Sequence, residues 1–219
     1  MQTEIFRHAQ SYRRSAVHHS QWPLSEVGIL QARSLAALLD PLEVEAVFSS
    51  PFRRCMDTIA PFASRRRVPV TVRENLRERL ITTTFVNEGL KDIWTRSWED
   101  FDYALPGCES SRVAQIRIAT EVVEICRSQA ASRIAVSSHG NVIGLLLNSL
   151  DTAFHRPHTE HLRNPDVLRL LYRKGELRWD NGFRLVGLDL ISTEHGATPV
   201  DNDRQLGDHP HETEPTSSE

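Results

Sequence analysis

Four short runs of strand-forming residues, Thr3 to Phe6, Glu45 to Ser49, Val68 to Val72 and Arg133 to Ser137, are separated by longer stretches with helical periodicity. A chain that alternates in this way folds as β-α-β units. The expectation is a three-layer α/β domain, a mostly parallel central sheet with helices on both faces. Ser25 to Leu39 carries Val27, Leu30, Leu35, Leu38 and Leu39 largely on one side, with Ser25 as N-cap and Asp40-Pro41 as a stop. Within Ser110 to Arg127, Val113, Ile116, Thr120 and Val123 form a similar stripe, expected to face the core. Val167 to Arg173 and Leu177 to Trp179 flank Lys174-Gly175-Glu176 as a hairpin, and Phe183 to Leu190 reads as another edge strand. The sheet is therefore expected to be mixed, with an antiparallel edge strand. From about His195 the composition turns to Asp, Glu, Thr, Ser, Pro and His, so residues 1–194 read as one domain and 195–219 as a disordered polar tail.

Composition narrows the function classes. A formal charge of −3 over 219 residues gives no electrostatic footprint for nucleic acid. No apolar run approaches the roughly 18 residues needed to cross a bilayer, and the chain opens directly into Thr3-Glu4-Ile5-Phe6 without a secretory apolar segment. A cytoplasmic protein with no membrane partner is expected, and homo-oligomer formation is left open. Cys55, Cys108 and Cys126 form no C-x-x-C pair and read as structural thiols in a reducing compartment.

Of 26 basic residues only Lys91 and Lys174 are lysine, so an isolated Arg-His pair carries no weight in this chain. Its position does. Arg7-His8 closes the first strand and Ser138-His139-Gly140 closes the strand from Arg133, while Ser49-Ser50-Pro51-Phe52-Arg53-Arg54 ends another strand and opens a helix. Parallel sheets bind ligands at that edge. Two arginines and two histidines converging there match the oxygens of a tetrahedral dianion. A neutral imidazole nitrogen can also attack phosphorus and carry the phosphoryl group before water removes it.

At these residues the chain resembles the histidine phosphatase superfamily, with its phosphoglycerate-mutase-like fold, and within it the smaller cytoplasmic branch. Ile5-Phe6-Arg7-His8-Ala9-Gln10-Ser11 is similar to the opening R-H-G or R-H-A motif, and Pro23-Leu24-Ser25-Glu26-Val27-Gly28-Ile29-Leu30-Gln31-Ala32 to P-L-T-x-x-G-x-x-Q-A. Ser49 to Thr58 is similar to S-S-P-L-x-R-A-x-Q-T, Leu76-Arg77-Glu78 to L-x-E, and Pro106-Gly107-Cys108-Glu109-Ser110 to P-G-G-E-S. The resemblance implies a metal-independent phosphomonoesterase without a cofactor. In it His8 is the nucleophile, Arg7, Arg54 and His139 bind the phosphoryl oxygens, and Glu78 donates the proton. Gln10, Ser11, Arg14, Ser110, Gly140, Asn141, Trp94 and Trp98 are further candidate substrate-binding residues, and a small-molecule phosphomonoester is the expected partner.

The chain departs from the pattern at three places. Arg14 stands where the family often has Asn, Ala9 replaces Gly, and Arg79-Leu80-Ile81-Thr82-Thr83-Thr84 replaces the usual G-x-W-E-G. Glu74 is an alternative donor, and Glu78 could instead pair with Arg77 or Arg79. Trp94, Trp98, Phe101 and Tyr103 form either core or a lid that stacks on a planar leaving group such as a flavin or nucleotide. The alternatives to hydrolysis are phosphoglycerate-mutase-type transfer, disfavoured by the short segment between Glu78 and Glu109, and a non-catalytic phospholigand-binding module. His18-His19 reads as a loop pair. His155, His158 and His161 repeat every three residues, but Pro157 interrupts the helical face that a metal site would need.

Overall fold

The computed structural model describes residues 1–14, 17–84 and 89–192; the tail expected over 195–219 lies outside the described residues. Six strands form one sheet: β1 (Gln2–Arg7), β2 (Ala46–Ser49), β3 (Val70–Val72), β4 (Arg133–Ser138), β5 (Asp166–Arg173) and β6 (Glu176–Asp180). Their order is β3-β2-β4-β1-β5-β6. The first four are mutually parallel, whereas β5 runs antiparallel to β1 and β6 antiparallel to β5. The mostly parallel sheet and the hairpin are as expected from sequence. The antiparallel edge holds two strands, and Phe183 to Leu190 adds no strand: it forms turns and a short 3-10 segment at Leu188–Leu190.

The helices are α1 (Glu26–Leu39), α2 (Arg53–Arg66), α3 (Leu90–Glu99), α4 (Ser111–Ser128), α5 (Gly140–Leu150) and α6 (Arg156–Glu160). Successive residues of a strand point to opposite faces, so β1 sends Ile5 into one core and Phe6 into another. Phe6 joins Leu35 and Leu39 of α1 and Ile59 and Phe62 of α2. Ile5 joins Ile118, Val122 and Ile125 of α4 and Val142, Ile143 and Leu146 of α5. Burial on both faces explains why the central strands are nearly continuous in apolar residues.

Two helices present a different face from the one their sequence suggests. On α4 the buried line is Ala114, Ile118, Val122 and Ile125, while Val113 and Ile116 are more than half exposed. On α1, Val27 and Leu30 are exposed, and Gly28, Gln31, Ala32, Leu35, Ala36 and Leu39 turn inward. Both helices carry apolar residues at helical spacing on two sides, and the surfaces they pack against decide between them, with small residues permitting close approach on α1. Gly28 makes this concrete: a Cβ there would lie 1.9 Å from the carbonyl oxygen of Gln10. The expected test is Ile118→Ala against Ile116→Ala in urea unfolding, with a loss of about 2–5 kcal/mol for the first and less than about 0.5 kcal/mol for the second.

Candidate active site

The crevice lies at the carboxyl ends of β1, β2 and β4, which are adjacent in the order β2-β4-β1. The β1–β4 register sets Arg7 beside Ser138, and the His8 N–H donates to Ser138 O at 3.1 Å. The two histidines that follow these strands are thereby brought together, with ring centroids 5.3 Å apart in an edge-on arrangement. Arg54 enters from the first turn of α2, with Pro51 and Phe52 leading into that helix from β2.

Hydrogen bonding fixes the proton on His8. Its Nδ1 lies 2.7 Å from the carbonyl oxygen of Ala9, and its Nε2 lies 3.0 Å from Nε of Arg54. A carbonyl oxygen only accepts and a guanidinium only donates, so Nδ1 carries the hydrogen and Nε2 the lone pair. Burial, with Arg54 and Arg7 nearby, holds the His8 pKa well below the usual histidine value. His139 is fully buried and is shifted downward by burial first and then by Arg54 and His8. Its Nε2 is 2.8 Å from Ser50 Oγ, which also accepts the Phe52 N–H, and 3.4 Å from the Cys55 thiol. Burial pushes that thiol up to about 12, while the thiol donates to Ser138 O at 3.3 Å.

Both arginines are deeply placed. Arg7 donates through Nη1 to Leu162 O, its Nε is buried without a partner among the described residues, and burial draws its pKa down to about 10. Gly140 lets it in, since a Cβ at that position would lie 2.9 Å from Arg7 Nε. Arg54 uses Nη1 on the carbonyl oxygen of His19 at 2.7 Å, and its guanidinium sits over the Phe52 ring at 5.0 Å and the Trp22 ring at 5.8 Å.

Glu78 is half-buried at the start of α5, where its carboxylate accepts from Arg79 N at 2.8 Å, Val142 N at 3.2 Å and Asn141 N at 3.3 Å. The positive end of that helix suits a carboxylate. No ion pair forms with Arg77 or Arg79: Arg77 approaches Glu109 at 3.5 Å, and the side-chain bonds of Arg79 go to neutral oxygens. Glu74 is exposed at the head of a 3-10 segment.

Residues 5–181 match the model of the histidine phosphatase superfamily, branch 1. The chain belongs to this superfamily. A stretch of 58 residues is 41 % identical to a probable phosphatase of Schizosaccharomyces pombe, covering 26 % of this chain and 28 % of that protein. A second, also 41 % identical, covers 27 % of this chain and 14 % of the 55 kDa subunit of transcription factor tau from Saccharomyces cerevisiae. These matches thus span less than a third of either curated relative. The fold is shared more widely. A mycobacterial glucosyl-3-phosphoglycerate phosphatase complexed with VO3 superposes with a TM-score of 0.67 at 22 % identity, covering 81 % of this chain and 95 % of the other. The α-ribazole phosphatase of Shigella flexneri gives 0.63 at 20 %, covering 82 % and 94 %.

Within this member of the superfamily the remaining expected residues divide. Gln10 is an anchor: its side-chain oxygen accepts from Ser25 Oγ at 2.7 Å, and its N–H donates to Gln31 Oε1 at 2.9 Å. Ser11 is buried beside Leu24, and Arg14 is exposed, its carbonyl accepting the Trp22 indole N–H. Ser110 caps α4 through the Val113 N–H. Asn141, in the first turn of α5, has both side-chain polar atoms buried and unpartnered among the described residues, as are the indole nitrogens of Trp94 and Trp98. Trp98 packs edge-on against Phe101 and onto the α4–α5 core, so it is committed to packing.

Two contributors carry no sequence signal as site residues, the carbonyl oxygen of His19, which holds Arg54, and Asn164, whose amide donates to His8 O at 2.8 Å; a third, Ser50, lies within the S-S-P motif, which does not single it out. Gln31 ties Asn164 in turn by donating to its carbonyl oxygen at 2.8 Å. His155, His158 and His161 are not gathered: His158 Nδ1 accepts the His155 N–H and His161 Nδ1 lies against Pro157 O, and no metal-holding group occurs among the described residues.

The depressed pKa values of His8 and His139 give stability a defined pH dependence. Unfolded, both take up a proton near pH ~6.5; folded, they do so only well below it. Between those limits the unfolded chain binds more protons, so their contribution is full above pH ~6.5 and is lost as pH falls. Urea unfolding from pH 7.5 to 5 is expected to show this fall, and His8→Asn to flatten its slope by about one proton.

Proposed function

We propose that this histidine phosphatase hydrolyses a small-molecule phosphomonoester through a phosphohistidine on His8. The observation that carries the reading is the orientation of that imidazole: its Nδ1–H is anchored on a carbonyl, so the lone pair is on Nε2, where it accepts from Arg54 Nε until the arriving phosphoryl oxygens take over that donor. In the first half-reaction Nε2 forms a bond to phosphorus as the bond to the leaving oxygen breaks, and Glu78 gives that oxygen its proton. In the second, Glu78 accepts a proton from water as the water oxygen displaces Nε2. Charge collects on the three equatorial oxygens of the phosphoryl group in both steps, and Arg7, Arg54 and His139 are the donors placed to stabilise it. These protein donors support a reaction that needs no metal ion.

The leaving group would lie towards the first turn of α5, beside Glu78, where the polar side-chain atoms of Asn141 have no partner among the described residues. A planar leaving group, such as a flavin or nucleotide monophosphate, would find aromatic surface on Trp94 and on His19 and Trp22 rather than on Trp98. The three cysteines are free thiols, two of them buried, which supports a reducing, cytoplasmic setting. Among the described residues no helix is long and apolar enough to cross a membrane.

Purified protein with p-nitrophenyl phosphate and excess chelator tests the mechanism. Wild type is expected to retain activity and to yield an acid-labile, alkali-stable phosphoenzyme after rapid quench, and His8→Ala to lose at least about 10³-fold in kcat. Activity abolished by chelation alone, or surviving in His8→Ala, sinks the proposal.

A further inference from the structure

The residue after the proposed acid is the least expected part of the site. Arg79 stands in the stretch that replaces the family pattern, and it is buried, with only 4 % of its surface exposed. A guanidinium in such a place is costly unless its donors are satisfied. Here they reach three neutral oxygens: Nε donates to Glu109 O at 2.8 Å, and Nη1 to Ser97 Oγ at 2.9 Å and Ser111 Oγ at 2.7 Å. Each serine hydroxyl directs its own hydrogen elsewhere, Ser97 to Trp94 O and Ser111 to Ser97 O, so both are oriented to accept. One side chain therefore joins the turn that bears Glu78 to α3 and to the start of α4.

The backbone of Arg79 completes the connection. Its N–H is the shortest of the three donors to the Glu78 carboxylate, at 2.8 Å against 3.2 and 3.3 Å for the N–H groups of α5. Leu80 O accepts the Glu109 N–H at 2.9 Å, and Arg117 grips the Glu109 carboxylate at 2.7 Å through two nitrogens, so the partner of Arg79 is itself fixed. We propose that Arg79 is a positioning residue for Glu78, its guanidinium locking the backbone that aims the carboxyl group at the leaving oxygen. This rests on the acid role given to Glu78 above. Arg79 touches neither substrate nor the reacting atoms.

Leaving-group dependence separates positioning from a general structural effect. An aryl phosphate such as p-nitrophenyl phosphate expels a weakly basic oxygen that needs little protonation, whereas glycerol 2-phosphate expels an alkoxide that needs a well-placed acid. For full-length Arg79→Met, kcat/KM is expected to fall at least about tenfold more on the alkyl than on the aryl substrate. In a Glu78→Gln background that extra loss is expected to vanish. Equal losses on both substrates, or a bias that persists without Glu78, overturn the proposal. If Glu78→Gln shows no alkyl bias of its own, the acid role itself fails. Should Arg79→Met not fold, Ser97→Ala and Ser111→Ala each remove one acceptor and keep the charge. They are expected to show the same bias at about threefold, and an unbiased loss again overturns it.

Discussion

The arrangement depends on holding an uncharged imidazole against a buried guanidinium. Arg54 can donate to Nε2 of His8 only while that nitrogen is bare, and the burial of both groups together with Arg7 keeps it bare. Cations gathered in one buried crevice repel one another and lose hydration, so the fold has to supply compensating acceptors. It does so from backbone: His19 O for Arg54 and Leu162 O for Arg7. Backbone oxygens bring partial negative charge without a proton to exchange. The Glu78 carboxylate offsets part of the charge of both arginines, and Asp166 part of that of Arg7.

The same economy explains residues remote from the chemistry. Ser25 caps α1 and bonds Gln10, Gly28 makes room for the Gln10 carbonyl, and Gln31 links Gln10 to Asn164, whose amide holds His8 O. Side chains at the start of one helix, none of them touching a ligand in the proposed mechanism, thereby fix the loop that carries His8. Rigid placement of this kind is what a phosphoryl-transfer site requires, because most of its catalysis lies in positioning and charge.

Much of this was legible in the sequence, for identifiable reasons. Strand ends are marked by abrupt changes from Val, Ile and Phe to Arg, His and Ser, which is why Arg7, His8, Arg54 and His139 could be placed at one sheet edge. The inward face of α4 could not be read in the same way. Val113, Ile116 and Val123 are as apolar as Ile118, Val122 and Ile125, and the choice between two such faces is made by the partner surface of α5 and the sheet. Contacts through a carbonyl oxygen are harder still, since His19 O would be available from any residue. The edge strand expected over Phe183 to Leu190 failed for a related reason. Its apolar residues pack onto β5 and α1 without pairing, as Arg169 lying 3.8 Å over the Phe183 ring illustrates.

Cys55 gives the crevice a property of its own. A thiol pushed up to about 12 has only about one part in 10⁵ as thiolate at neutral pH, and this one has no exposed surface. Sulfur therefore sits against His139 as a soft, space-filling donor that neither peroxide nor an alkylating reagent can readily reach. In the mechanism proposed above the attacking atom is nitrogen, so the thiolate chemistry on which peroxide acts has no part in the reaction, and the sulfur nearest to it is shielded by burial.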